Sequence, residues 1–117
     1  MSQSRRSVCP IACSLDLFGD RWTLLVIRDM MFFRKCRFEE FLESPEKIST
    51  NILASRLKSL EKRGLVEKQL YGNHSRRMNY HLTERGESLR PVLEAMSAWG
   101  LECIPDTQIP ENNQSRN

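Results

Sequence analysis

Asn51, Ser55, Lys58 and Lys62 recur at helical spacing in the middle of a 117-residue chain. With Leu53, Leu57 and Leu60 turned inward, at about 100° of rotation per residue, those four fall on the outward face of one helix, with Thr50 and Ala54 flanking. Such a face suits hydrogen bonding in the major groove of double-stranded DNA. Asparagine there pairs bidentately with adenine, lysine reaches guanine or phosphate, and Thr50 and Ser55 reach a base edge or a phosphate. Ser49 opens the same helix and belongs to the same candidate site, whereas Arg56 faces nearer the core and is expected to make a structural or phosphate contact. A second group, Asn73, His74, Arg76 and Arg77, lies at a glycine-led linker, where arginines can follow a narrow minor groove or hold a phosphate. Plain solvated surface would give both patterns too, as a charged helix face and as a turn made polar for solubility.

The net charge of +3 is mild, but Lys47 to Arg85 carries nine cations and three anions while the remainder of the chain sums to −3. A positive field concentrated beside a neutral-to-acidic remainder is the footprint of a polyanion-binding face. A hydrophobic fraction of 39% and a charged fraction of 28% describe one small soluble domain, and the length excludes a two-domain enzyme. Loose ends are expected at residues 1–7 and 105–117, leaving 8–104 for one modest core that a partner subunit would help to cover. Leu24-Leu25-Val26-Ile27 is stopped by Arg28-Asp29, far short of the roughly 18 apolar residues of a membrane span. The N-terminus also lacks a signal peptide's apolar stretch. A cytoplasmic location is therefore expected, with Cys9, Cys13, Cys36 and Cys103 as reduced thiols rather than a disulfide framework.

The elements that must hold these residues can be read in order. Pro10 suits a first helical turn, and an apolar stripe from Ile11 to Phe18 runs until Gly19. Asp20 can cap a second helix through Met31, whose broad apolar surface predicts deep burial. Phe38 to Glu43 reads as a two-turn helix closed before Ser44-Pro45. Ser49 caps the next, with Ile48 and Leu53 as a hydrophobic staple, and Gly64 followed by Leu65 predicts a Schellman stop against Leu60. Val66 to Tyr71 and Arg77 to Leu82 read as strands around the linker 72–76. Thr83 caps a last helix ending at Gly100, in which Pro91 predicts a kink or a break into two. A short helix, a turn and a capped helix followed by a hairpin outline a winged helix-turn-helix, mainly α with a small β hairpin (α+β).

Cys9-Pro10, Leu17 through Leu25 with Gly19-Asp20-Arg21-Trp22, Arg37-Phe38-Glu39-Glu40-Phe41, Ile48-Ser49 with Leu53 and Leu57, Leu60 through Val66, Tyr80-His81-Leu82-Thr83 with Gly86, and Leu93 through Trp99-Gly100 stand in a specific order and spacing. In these stretches the chain resembles the HxlR-type winged-helix transcription regulators of bacteria, relatives of the MarR-type repressors. The resemblance implies a cytoplasmic homodimer that binds operator DNA, with its N- and C-terminal helices forming the dimer contact. Two-fold symmetry would make the target an inverted repeat. Two departures stand out. Met31 to Cys36 replaces a small Gly/Pro-containing turn, so Phe32 and Phe33 need cover in the core or at a partner, and the wing tip lacks the family's frequent prolines.

Cys9 lies at a helix start, where backbone N–H groups and the helix dipole favour a reactive thiolate, and Arg5 and Arg6 stand near it in sequence. Some members of the family it resembles sense oxidants or electrophiles through a cysteine at this place, which makes Cys9 a candidate regulatory thiol responding to a small-molecule or oxidant effector. An inert, half-buried cysteine is the alternative. Trp22 and Trp99 fall on apolar stripes and are expected in core and dimer packing. No cofactor or metal is expected, since the cysteines and His74 and His81 lack ligand spacing. No phosphate loop or nucleophile elbow points to an enzyme. A protein-interaction module that kept the winged-helix shape without DNA binding is the alternative of a different class.

Overall fold

The computed structural model describes residues 6–71 and 74–109, with backbone alone for 71 and 74–77. Each of its helices begins at a side-chain cap or takes a proline into its first turn. Helix α1 (Pro10–Phe18) opens on proline, which has no N–H to satisfy, and stops at Gly19. Helix α2 (Thr23–Met31) is capped from a distance. The Asp20 carboxylate accepts from the backbone N–H of Trp22 at 2.9 Å and of Thr23 at 3.0 Å. In α3 (Phe38–Phe41) Glu40 reaches back to the N–H groups of Cys36 and Arg37 at 2.9 and 3.0 Å. This helix is one turn rather than two, and ends at Phe41, not Glu43.

Helix α4 (Thr50–Lys62) follows its sequence signals at both ends. Ser49 Oγ accepts from Ile52 N–H at 3.2 Å, and the staple residues Ile48 and Leu53 are buried. Gly64 adopts φ +77° and lets Leu65 N–H bond back to Leu60 O at 3.0 Å. Strands β1 (Val66–Tyr71) and β2 (His74–Leu82) pair antiparallel, Val66 with Leu82 through Leu70 with Met78, and a register shift then sets Tyr71 opposite His74. Strand β2 thus starts three residues before the expected Arg77, because cross-strand pairing takes in residues that look turn-forming locally. An isolated antiparallel bridge pairs Arg37 with Asn79 of this two-stranded sheet, and Tyr80 N–H donates to Cys36 O at 2.8 Å.

Pro91 divides the last segment. Helix α5 (Glu84–Glu87) ends before it, and α6 (Arg90–Cys103) takes the proline into its first turn. Gly100 does not end α6, which runs on to Cys103, since a glycine stops a helix only where its backbone turns left-handed. The core joins Val26, Ile27, Met30 and Met31 of α2 to Phe41, to Leu53, Leu57 and Leu60 of α4, and to Leu65, Val66 and Leu93. Phe33 is buried and Phe32 half-buried. Arg28 lies over the Phe33 ring at 5.3 Å and Arg90 over Phe32 at 5.4 Å, a cation–π cover for the two aromatics. Trp22 packs against the core, while Trp99 is 63% exposed.

Candidate nucleic-acid interface

The geometry of α4 separates two functions cleanly. Leu53, Leu57 and Leu60 are fully buried, while Thr50, Asn51, Ser55, Lys58 and Lys62 are exposed on the other side. Among the described residues, no hydrogen bond or ion pair occupies the side chains of Asn51, Ser55, Lys58 or Lys62. Ser49 is also exposed, but its hydroxyl is engaged as the cap. Arg56 is half-buried, with Nε 3.4 Å from Asp20 Oδ2, which ties α4 to the start of α2. Burial pushes the Asp20 carboxyl up, but the Thr23 hydroxyl, the Trp22 and Thr23 N–H groups and Arg56 together hold it below the usual carboxylate range.

Asn73 and the side chains of His74, Arg76 and Arg77 lie outside the described residues, though the backbone sets His74, Arg76 and Arg77 on β2 rather than in a loop. One exposed basic residue outside the expected site stands beside it. Arg63 lines a shallow concavity with Ser55, Lys58, Ser59 and Lys62. It stands one helical turn after Ser59, whose hydroxyl accepts from Arg63 Nε at 3.4 Å.

Beneath the turn that leads into α4 sits a charged cluster that the sequence pattern did not reveal. Asp29 is 3% exposed and Lys35 and Ser44 are also buried. The Ser44 hydroxyl donates a very short hydrogen bond to Asp29 Oδ2, and Lys35 Nζ donates to Ser44 Oγ at 3.1 Å. Arg28 lies against Asp29 Oδ1 at 2.8 Å and grips Glu46 with two bonds of 2.8 Å each. That fork holds the Glu46 carboxyl below the usual range, against the upward push of burial. For Arg28, burial pulls downward and the two carboxylates outweigh it.

Cys9 is exposed at the N-cap of α1, its own N–H donating to Ser7 Oγ at 2.9 Å. Arg6 does not serve it. That side chain pairs with Asp16 at 2.7 Å and donates to Ala12 O, and Arg5 lies outside the described residues. Cys36 is half-buried, and burial together with Glu40 pushes its thiol up. Cys103 is exposed in the last turn of α6. Among the described residues no group of three or more His, Cys, Asp or Glu could hold a metal ion, and no helix is long and apolar enough to cross a membrane.

Large apolar side chains are exposed at both ends of the chain. Val8, Ile11 and Leu15 project at and before α1, and Met96, Trp99 and Leu101 along α6. Leu24 and Leu25 of α2 form a groove with Leu93 and Met96 of α6.

The family model of the HxlR-like helix-turn-helix matches residues 17–108. The transcriptional regulator YodB of Bacillus subtilis is 36% identical over 110 residues, covering 92% of this chain and 97% of YodB. The structure of reduced YodB superposes with a TM-score of 0.69 at 34% identity, over 87% of this chain and 100% of that one. Quinone-bound YodB superposes at 0.65 and 35%, over 80% and 99%. The redox regulator HypR in its reduced form gives 0.71 at 29%, over 80% and 92%.

Proposed function

Because the chain belongs to the HxlR-like helix-turn-helix family of transcriptional regulators, we propose that it acts in the cytoplasm as a homodimer reading an inverted-repeat operator, with residues 8–104 as the DNA-binding domain. The observation that carries this reading is the outward face of α4, polar, exposed and unengaged within the described chain, on a bed of buried leucines. Asn51, Ser55 and Thr50 address base edges in the major groove, and Lys58, Lys62 and Arg63 hold phosphates. Asn73, His74, Arg76 and Arg77 contact the flanking backbone or minor groove. Ser49 and Arg56 contribute by setting the helix. The test is fluorescence anisotropy on duplexes selected from a random pool, repeated over a salt series. Affinity should fall steeply as salt rises, through counterion release. Flat binding would remove the phosphate contacts from the account. Exchanging Lys58, Arg76 and Arg77 for Glu should abolish binding to DNA, whereas a wild type that binds no duplex, and whose binding to a protein partner is spared by the exchange, would favour a protein-interaction role.

The apolar residues of α1 and α6 form the dimer contact, which accounts for their exposure in a single chain. Cys9 is the regulatory thiol, and an oxidant or electrophile is its effector. Support comes from its exposure at a helix start and from relatives named as redox regulators or captured with quinone. Cys9→Ser should keep operator binding when a mild oxidant weakens the wild type. Equal loss in both proteins would remove Cys9 from the mechanism.

A further inference from the structure

The turn between α3 and α4 delivers the chain into the helix that carries the outward polar face, and it is held by buried charge as well as by apolar packing. Lys47, two residues before the cap Ser49, adopts φ +61°, a left-handed conformation that an L side chain resists. The residues on its N-terminal side are clamped. Ser44 is fixed to Asp29 and Lys35, Glu46 is forked by Arg28, and Lys47 N–H donates to Ser44 O at 3.0 Å. Two of the four charges come from α2 and one from the loop that follows it, where Lys35 N–H also bonds Asp29 O at 3.0 Å.

We propose that Arg28, Asp29, Lys35, Ser44 and Glu46 are positioning residues for DNA readout, holding the turn in the one conformation that aims Asn51 and Ser55 at base edges. The inference rests on the DNA-reading role of α4 given above. Stability alone does not account for the cluster, because buried ion pairs seldom outperform apolar groups of similar volume. What apolar contact lacks is direction. A carboxylate held by a hydroxyl and a guanidinium fork accepts one geometry, whereas methyl groups slide. Base readout requires that geometry, and phosphate attraction does not.

Two variants test this. Asp29→Leu with Lys35→Met and Ser44→Ala removes the buried trio together, so that no charge is left orphaned, and Glu46→Gln loosens the tether alone. Each is measured at one salt concentration on a duplex that the wild type selects from a random-sequence pool and on a mixed-sequence duplex of the same length. The ratio of the two affinities is expected to fall about tenfold or more in the triple variant. Binding to the mixed duplex should stay within about twofold in both, with the melting temperature no lower in the triple variant. If the triple variant does not fold, the smaller fall expected for Glu46→Gln decides alone. An unchanged ratio in a folded variant, or both affinities dropping together with the melting temperature, overturns the positioning role. A wild type that selects no duplex overturns instead the DNA-reading proposal beneath it.

Discussion

Single side chains on α4 should separate affinity from specificity. Asn51→Ala is expected to weaken binding to a selected duplex about tenfold with no change in melting temperature, since Asn51 is exposed. Lys58→Ala should weaken binding alike on every sequence and lower the salt slope by about one. Competition titrations on matched and scrambled duplexes check both. Glu46 offers a test by pH. Its folded pKa lies below the usual value, so the stability it contributes is complete above the unfolded value of about 4.3 and is lost as pH falls through the folded one. Glu46→Gln should therefore melt lower than wild type at neutral pH but lose less between neutral pH and about pH 3.

At the scale of elements, the caps carry clear wagers. Ser49→Ala should cost about 1 kcal/mol of stability in urea unfolding. Gly64→Ala should cost a similar amount, about 1 kcal/mol, from its φ of +77° alone, because a Cβ there would meet nothing within 4 Å. Gly86→Ala should cost more than either, since a Cβ would strike the Leu65 carbonyl and the Leu82 side chain. Ser49 and Gly64 were readable in advance because a cap is made within four residues of chain, whereas Gly86 is crowded by Leu65 from 21 positions away. The start of β2 was not, for His74 joins it through a partner across the hairpin. Gly100 misled for the same reason, as residue type alone does not fix backbone handedness. Asp29 and Lys35 look in sequence like any surface charges on a helix and loop, and only the arrival of Ser44 and Glu46 from the next turn buries or engages them. The outward face of α4 was readable because helical periodicity and Leu53, Leu57 and Leu60 determine it together.

For the whole molecule, the exposed faces of α1 and α6 predict self-association. Ile11→Glu, at a position 72% exposed in one chain, should leave the fold intact, shift sedimentation to the monomer and weaken operator binding. One hydroxyl bears on how the two halves of the chain move together. Thr83 Oγ donates to Gly64 O at 2.6 Å and accepts from Gly86 N–H at 3.1 Å, while Thr83 N–H bonds Leu65 O and Arg85 reaches Arg63 O. The end of α4 and the first turn of α5 are thereby tied at one joint. Replacing that one hydroxyl, as in Thr83→Val, is therefore expected to loosen the end of α4 and the start of α5 together, read as faster amide hydrogen exchange at Gly86.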